Sequence, residues 1–387
     1  MAQPLVSVLT PVYNGEASIA RCIESVLAQT YDHWEYVIVD NASTDRTGEI
    51  VARYAAHDSR IRVHTNDRLI RVVANYNTAL RHIAPDSAWC KFVAADDELF
   101  PECLERMVAL AEAHPSVGLV AAYRLRGNWV DLDGLPYPIS VVPGRMICRW
   151  TLLGFPSVFG SPTSHMIRSD FVRGRDHFYD ESNLHADEAA CYDILRSSDL
   201  GFVHQVLAYS PVERDSLSVS VASRLNTFEL GQLKVLKTYG HVYLSDAEYD
   251  EALEDRLAAH QRFLAQALVT SARREIWAHH RKALRELGIP FSRRGVLRGV
   301  LQRLAQLVLS PGTQLPKFVQ ALRGRPVDHS AWWGTPSGGP FERARLRAFV
   351  KWSERRGPSI RREIESVMAR PPRRAAEPSP GGPQRIT

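Results

Sequence analysis

The chain has 387 residues, 45% hydrophobic and 24% charged, with a formal net charge of +5. That length exceeds one typical domain and predicts a catalytic-sized α/β unit followed by a smaller part. Five scattered cysteines without a Cys-x-x-Cys pair imply no disulfide framework and no structural zinc.

Val6–Thr10 is a short β-prone run, stopped by Pro11-Val-Tyr-Asn-Gly15. Glu16–Gln29 follows, with Ile19, Cys22, Ile23, Val26 and Leu27 at helical spacing. Trp34–Val39 repeats the plan, ending in Asp40-Asn-Ala-Ser-Thr-Asp45 before a helix through Ile50, Val51 and Tyr54. A third run, Ile61–Thr65, leads through Asn66 to a helical segment from Val73 to Ile83. The fourth, Lys91-Phe-Val-Ala-Ala95, ends in Asp96, Asp97 and Glu98, and Val117–Tyr123 is a fifth strand. Alternating strands and helices with short connections predict a mostly parallel, doubly wound sheet with helices on both faces.

Open sheets of this kind bind ligands at the carboxyl ends of their strands. Three predicted strands end in polar turns there: residues 10–14, Asp40-Asn41 and Asp96-Asp97. Adjacent carboxylates repel unless a cation or proton intervenes, so Asp96 and Asp97 suit a hard divalent ion held against phosphate oxygens. The competing reading is an N-terminal cap for the helix carrying Leu104, Val108 and Ala111. No Gly-rich dinucleotide or phosphate loop follows the first strand, so a bound phosphate needs a metal instead.

Thr-Pro-Val-Tyr-Asn-Gly-Glu (10–16), Val-Ile-Val-Asp-Asn-Ala-Ser-Thr-Asp (37–45), Asn-Tyr-Asn-Thr-Ala-Leu (75–80) and Ala-Ala-Asp-Asp-Glu-Leu-Phe-Pro (94–101) resemble the ordered motifs of family 2 glycosyltransferases. The likeness continues through Gly160–Ser164 and Phe178–Ser182 to Ala186-Asp-Glu188. It implies the GT-A nucleotide-sugar fold over about residues 4–220. By the same resemblance Pro11 and Tyr13 belong to the loop around the nucleotide base. Asp40 is the acceptor for a uracil or thymine N–H, and Asp96 and Asp97 hold Mg²⁺ or Mn²⁺ on the diphosphate, Asp96 also lying at the nucleotide. The segment ending in Asp187 resembles the signature whose last Asp is the catalytic base, with Glu188 as a neighbouring competitor. Two departures stand out. Ala94 replaces the first Asp of Leu-Asp-x-Asp-Asp, and Glu213 occupies the place of a metal-binding His in Arg-x-His-x-x-Ser, where a solvated loop Glu is the competing reading.

Residues 124–165 are rich in Gly, Pro and aromatics, among them Trp129, Tyr137, Trp150, Phe155 and Phe159, which suit either a sugar-facing surface or a packed crossover. Beyond Ser220 the periodicity turns helical: Leu225–Tyr239, Asp246–Thr270, Ala272–Leu287 and Arg293–Leu309. Charge shifts with it, residues 271–387 holding 24 Lys and Arg against 8 Asp and Glu and leaving 24 and 35 to the first 270. In Arg293–Leu309, Arg alternates with Leu and Val, a pattern that fits an interfacial helix on an anionic membrane or a helix docked on the catalytic domain. From about Arg370 the Pro/Arg/Ser/Gly composition predicts disorder.

The expected organisation is therefore a catalytic domain over 1–220, a helical extension over 221–290, a basic amphipathic region over 291–369 and a tail over 370–387. With no basic leader ahead of a long apolar stretch, and no apolar run near the roughly 18 residues of a span, a cytoplasmic protein is expected, peripheral at the inner face of the membrane if the basic helices bind lipid. The expected activity is metal-dependent, inverting transfer of a sugar from a UDP-linked donor to a hydroxyl of a glycan or lipid-linked acceptor, and no nucleic acid partner is indicated. The alternatives are a sugar nucleotidyltransferase, disfavoured by the absent Gly-rich loop, and a binding relative without turnover.

Overall fold

The computed structural model describes residues 3–137, 139–175, 177–211, 225, 227–270, 274–309, 359–360 and 362–369. The first half alternates β1 (Val6–Val12), α1 (Ile19–Leu27), β2 (Trp34–Asp40), α2 (Thr47–Ala55), β3 (Ile61–Thr65), α3 (Val72–Arg81) and β4 (Trp89–Phe92). Then come β5 (Glu98–Leu99), α4 (Cys103–Ala113), β6 (Val117–Arg126), β7 (Trp129–Asp131), β8 (Val141–Val142) and α5 (Gly144–Leu152). β9 (His165–Arg168), α6 (Ala186–Ile194) and β10 (Asp199–Ser210) complete the sheet. Its order is β3-β2-β1-β4-β9-β6-β10-β5, with β7 on β6 and β8 on β10.

β1, β2, β3 and β4 pair in parallel, as do β6 and β10, while β9 runs antiparallel between β4 and β6. Successive side chains of a strand point to opposite faces, and the burial follows that rule. Leu9, Val37 and Val39 enter one core cluster with α3, α5 and α6, whereas Val8, Tyr36 and Ile38 enter the other with α1, α2 and α4. Burial on both faces explains why these strands read as unbroken apolar runs. Val12 is in register with Asp40, and Leu9 with Phe92. The carboxyl ends of β2, β1 and β4 therefore lie side by side.

Trp150, Phe155 and Phe159 are buried in the first cluster, so these three rings are packed crossover. Tyr137 is exposed. The C-terminal helices α7 (Thr227–Tyr243), α8 (Asp246–Thr270), α9 (Arg274–Glu286) and α10 (Arg293–Leu309) follow. Buried His260 and His280 join α8 to α9 at 2.9 Å, and burial pushes both imidazoles down to about 4, so the pair is neutral near pH 7.

α10 docks on α8 through small residues. A Cβ at Gly299 would stand 2.9 Å from Ala265 Cβ, and Val296 is buried beside Leu264. Leu297 and Leu301 remain exposed, with Arg293, Arg294 and Arg298 around them. The described apolar positions of this helix, Val296, Leu297, Val300 and Leu301, are thus divided between a docked face and an open one. Among the described residues no helix is long and apolar enough to cross a membrane.

A last helical piece, residues 359–360 and 362–368, returns to the catalytic unit. Ile360 and Val367 are buried in the cluster that holds Trp150. Trp150 Nε1 donates to Glu363 Oε2 at 2.7 Å, and Arg149 donates to Glu363 at 3.0 Å and to Glu248 of α8. The tail from Arg370 and the boundary at 220 lie outside the described residues.

Candidate active site

The turns after β1 and β2 are stitched together by backbone-to-side-chain bonds. Asn14 N donates to Ser43 Oγ at 2.9 Å, Thr44 N to Asn14 Oδ1 at 2.8 Å, Gly15 N to Thr47 Oγ1 at 2.7 Å and Glu16 N to Asp45 Oδ2 at 3.0 Å. Asn14 and Ala42 adopt positive φ, 49° and 57°, which the tight turns require. Tyr13 projects into solvent beside this frame, 45% exposed, while Pro11 lies within buried β1. Asp40 is 4% exposed; its Oδ1 accepts from Ser43 N at 3.1 Å, and its Oδ2 faces Gly48, where a Cβ would stand 3.6 Å away. An amide chain, Asn41–Asn66–Asn75, anchors the Asp40 turn to α3. The result is a pair of cross-bonded turns with the Asp40 carboxylate buried at their base.

The Asp96-Asp97 turn is built differently. Val93 O accepts from Thr10 Oγ1 at 2.8 Å, fixing the end of β4 against β1. Asp97 N then donates to Ala94 O at 2.9 Å, closing a tight turn. Thr163 Oγ1 donates to Asp97 Oδ2 at 2.5 Å and accepts from Ala94 N at 3.1 Å. Asp97 is 7% exposed, and burial, then the Asp96 charge, push its carboxyl up to about 6. Asp96 is half-buried. Neither acid caps the following helix, because β5 intervenes and α4 begins only at Cys103, after Glu102.

Asp187 stands in the first turn of α6, half-buried, with His185 rather than Asp187 at the N-cap. Burial raises its carboxyl to about 6, against the opposing pull of nearby N–H groups and of Arg124. Glu188 is also raised by burial, but its carboxylate is engaged by Gln232 Nε2 of α7 at 3.0 Å. Two groups link Asp187 to the β4 acids. Burial, followed by the charges of Asp97, Asp96 and Asp187, raises the Tyr76 phenol, so all three carboxylates act electrostatically on one hydroxyl. Arg124, 7% exposed and bonded to Ser161 Oγ at 2.6 Å and Asp131 Oδ2 at 2.7 Å, acts on both Asp97 and Asp187.

The charges of Asp96, Asp97 and Asp187 thus all act on Tyr76, and Arg124 acts on Asp97 and Asp187, while Asp40, Pro11 and Tyr13 lie along the neighbouring strand ends. Glu213 lies outside the described residues. Sequence reasoning missed Tyr76, Arg124, Thr163 and Lys91. Lys91 carried a signal, being the one charge inside the fourth apolar run; it is fully buried on the Thr163 and His165 carbonyls. Among the described residues no cluster of three or more His, Cys, Asp or Glu could hold a metal. The donor set, two carboxylates at a strand end, fits Mg²⁺ or Mn²⁺ but not a soft ion. Such ions use one or two protein carboxylates and complete their shell with water and substrate phosphate.

Residues 7–173 match the family Glycosyl transferase family 2. That match spans less than half of the 387 residues and marks a likeness to the family over this part of the chain. EpsE of Bacillus subtilis is 35% identical over 161 residues, which is 39% of this chain and 56% of that protein. The chain spans about half the length of the curated relatives it matches. WfgD of Escherichia coli, named as a UDP-Glc:α-D-GlcNAc-diphosphoundecaprenol β-1,3-glucosyltransferase, is 35% identical over 106 residues, 27% of this chain and 40% of its own length. S. aureus TarS 1–349, solved in complex with UDP-GlcNAc, superposes with a TM-score of 0.54 at 19% identity, covering 83% of this chain and 93% of that one. At that identity the likeness is one of fold, and it extends past the family-matched residues into the helical region.

Proposed function

We propose that the protein transfers a sugar, with inversion, from a UDP-linked donor to a hydroxyl of a glycan or lipid-linked acceptor. The observation that carries this reading is that Asp187 and the Asp96-Asp97 pair, far apart in sequence, act electrostatically on the same Tyr76 hydroxyl. A UDP donor is supported by the UDP-GlcNAc bound to TarS, and a lipid-diphosphate acceptor by the name of WfgD. In this reading Asp40 receives the uracil N–H, Tyr13 lies along the base, and Asp96 and Asp97 hold the divalent ion. When bound, that ion offsets charge on the leaving diphosphate. Asp187 accepts the proton of the attacking hydroxyl, a role suited to a carboxyl raised towards the operating pH. Calorimetry with UDP, UDP-sugars and other nucleotides, with and without Mn²⁺, tests it. UDP should bind more tightly with metal than without, and Asp40→Ala should weaken UDP by roughly tenfold, the value of about one hydrogen bond to a charged group. Wild-type UDP affinity in Asp40→Ala would remove Asp40 from the base site.

The open face of α10 belongs to the same proposal. Leu297 and Leu301, exposed one turn apart among Arg293, Arg294 and Arg298, are suited to the surface of an anionic bilayer, which would bring the domain to a lipid-linked acceptor. Co-sedimentation with phosphatidylglycerol vesicles should fall when both leucines become Ser. Equal sedimentation of variant and parent would count against the contact.

A further inference from the structure

We propose that Thr163 is the positioning residue of the metal site, fixing Asp97 so that one carboxylate oxygen is committed to the protein and the other is turned to the ion. This rests on the reading that Asp96 and Asp97 hold a divalent cation. Thr163 belongs to a short 3₁₀ turn, Pro162–Ser164, lying beside β4 in space though about 70 residues from it in sequence. That turn is not free to shift. Lys91 of β4, fully buried, donates to the Thr163 carbonyl and, at 3.3 Å, to that of His165, tying both to the strand that delivers the acids.

The hydroxyl geometry then leaves one arrangement. Thr163 Oγ1 accepts the Ala94 N–H at 3.1 Å, and a hydroxyl carries a single proton. That proton points at Asp97 Oδ2, 2.5 Å away. Asp97 N meanwhile donates to Ala94 O at 2.9 Å, so both ends of the Ala94–Asp97 turn are fastened, one directly and one through Thr163. Thr163 thus holds Asp97 by Oδ2, the Ser210 hydroxyl acts on the same carboxylate, and Asp96 is carried on the same closed turn. Ala94 stands where the family motif has its first Asp, so a turn with only two acids relies on their being held in place. The preorganisation of a metal site by groups that bond its ligands is worth 10- to 100-fold in affinity in other proteins.

The test is Mn²⁺ binding in the presence of UDP, read by electron paramagnetic resonance of free Mn²⁺, together with melting temperature. Thr163→Val keeps the shape and removes the hydroxyl; Thr163→Ala replaces it if valine does not fold. Thr163→Ser keeps the hydroxyl, and Asp96→Asn removes a ligand. The expected pattern is Mn²⁺ affinity weakened about tenfold or more in the valine variant and restored to within about threefold of wild type by serine. Wild-type Mn²⁺ affinity in Thr163→Val, with Asp96→Asn still losing the metal, would overturn the proposal while sparing the metal site. A serine variant as weak as valine would assign the effect to the lost methyl packing and overturn it too. Mn²⁺ bound normally by Asp96→Asn would remove the metal reading itself and this inference with it.

Discussion

Asp187→Asn is expected to lower sugar transfer by roughly 10²–10⁴-fold while leaving UDP affinity and melting temperature close to wild type. The amide keeps the size and position of the side chain in the first turn of α6 but cannot accept a proton. The wild-type profile carries a second signature. Burial raises the Asp187 carboxyl to about 6, so as pH falls through 6 the base becomes protonated and kcat/KM should fall with it. Above that value the carboxylate is ionised and the rate should level off. Glu188→Gln should be far milder, because that carboxylate already accepts two bonds from Gln232, at 3.0 and 3.3 Å. An active Asp187→Asn beside an inactive Glu188→Gln would move the base one residue along the helix.

The second large effect is expected at Asp96. Asp96→Asn removes one of the two carboxylates assigned to the ion. Mn²⁺ should then cease to tighten UDP binding, and transfer should fall by roughly 10²–10³-fold, the equivalent of losing several kcal/mol of charge stabilisation on the leaving group. A metal titration indistinguishable from wild type would show that the pair serves the turn and not an ion.

Much of this was legible because strands buried on both faces leave continuous apolar runs. β1 to β4, and the acids that end β2 and β4, could be placed from such runs and their polar stops. The pairing of β9 was not legible. His-Met-Ile-Arg is four residues long, and nothing in it tells an antiparallel insertion between β4 and β6 from a loop. The groups that tune the acids were hidden for another reason. Thr163 bonds Asp97 from 66 residues away, and Gln232 engages Glu188 across 44, so both depend on tertiary packing that no local pattern encodes. On α10 the sequence showed that apolar residues recur, but the split came from Gly295 and Gly299, whose missing side chains let α8 approach one side only.

The clasp of Glu363 on Trp150 has a consequence for how the chain is made. Ile360, Glu363 and Val367 cover a surface whose other half, Arg149 and Trp150, leaves the ribosome roughly 200 residues earlier. At about 5–20 residues per second that is a gap of roughly 10–40 s. During synthesis the Trp150 surface waits uncovered, its indole N–H and the Arg149 guanidinium without the carboxylate that later receives them. The final tightening of the catalytic unit therefore waits on elongation and not on the folding of the sheet.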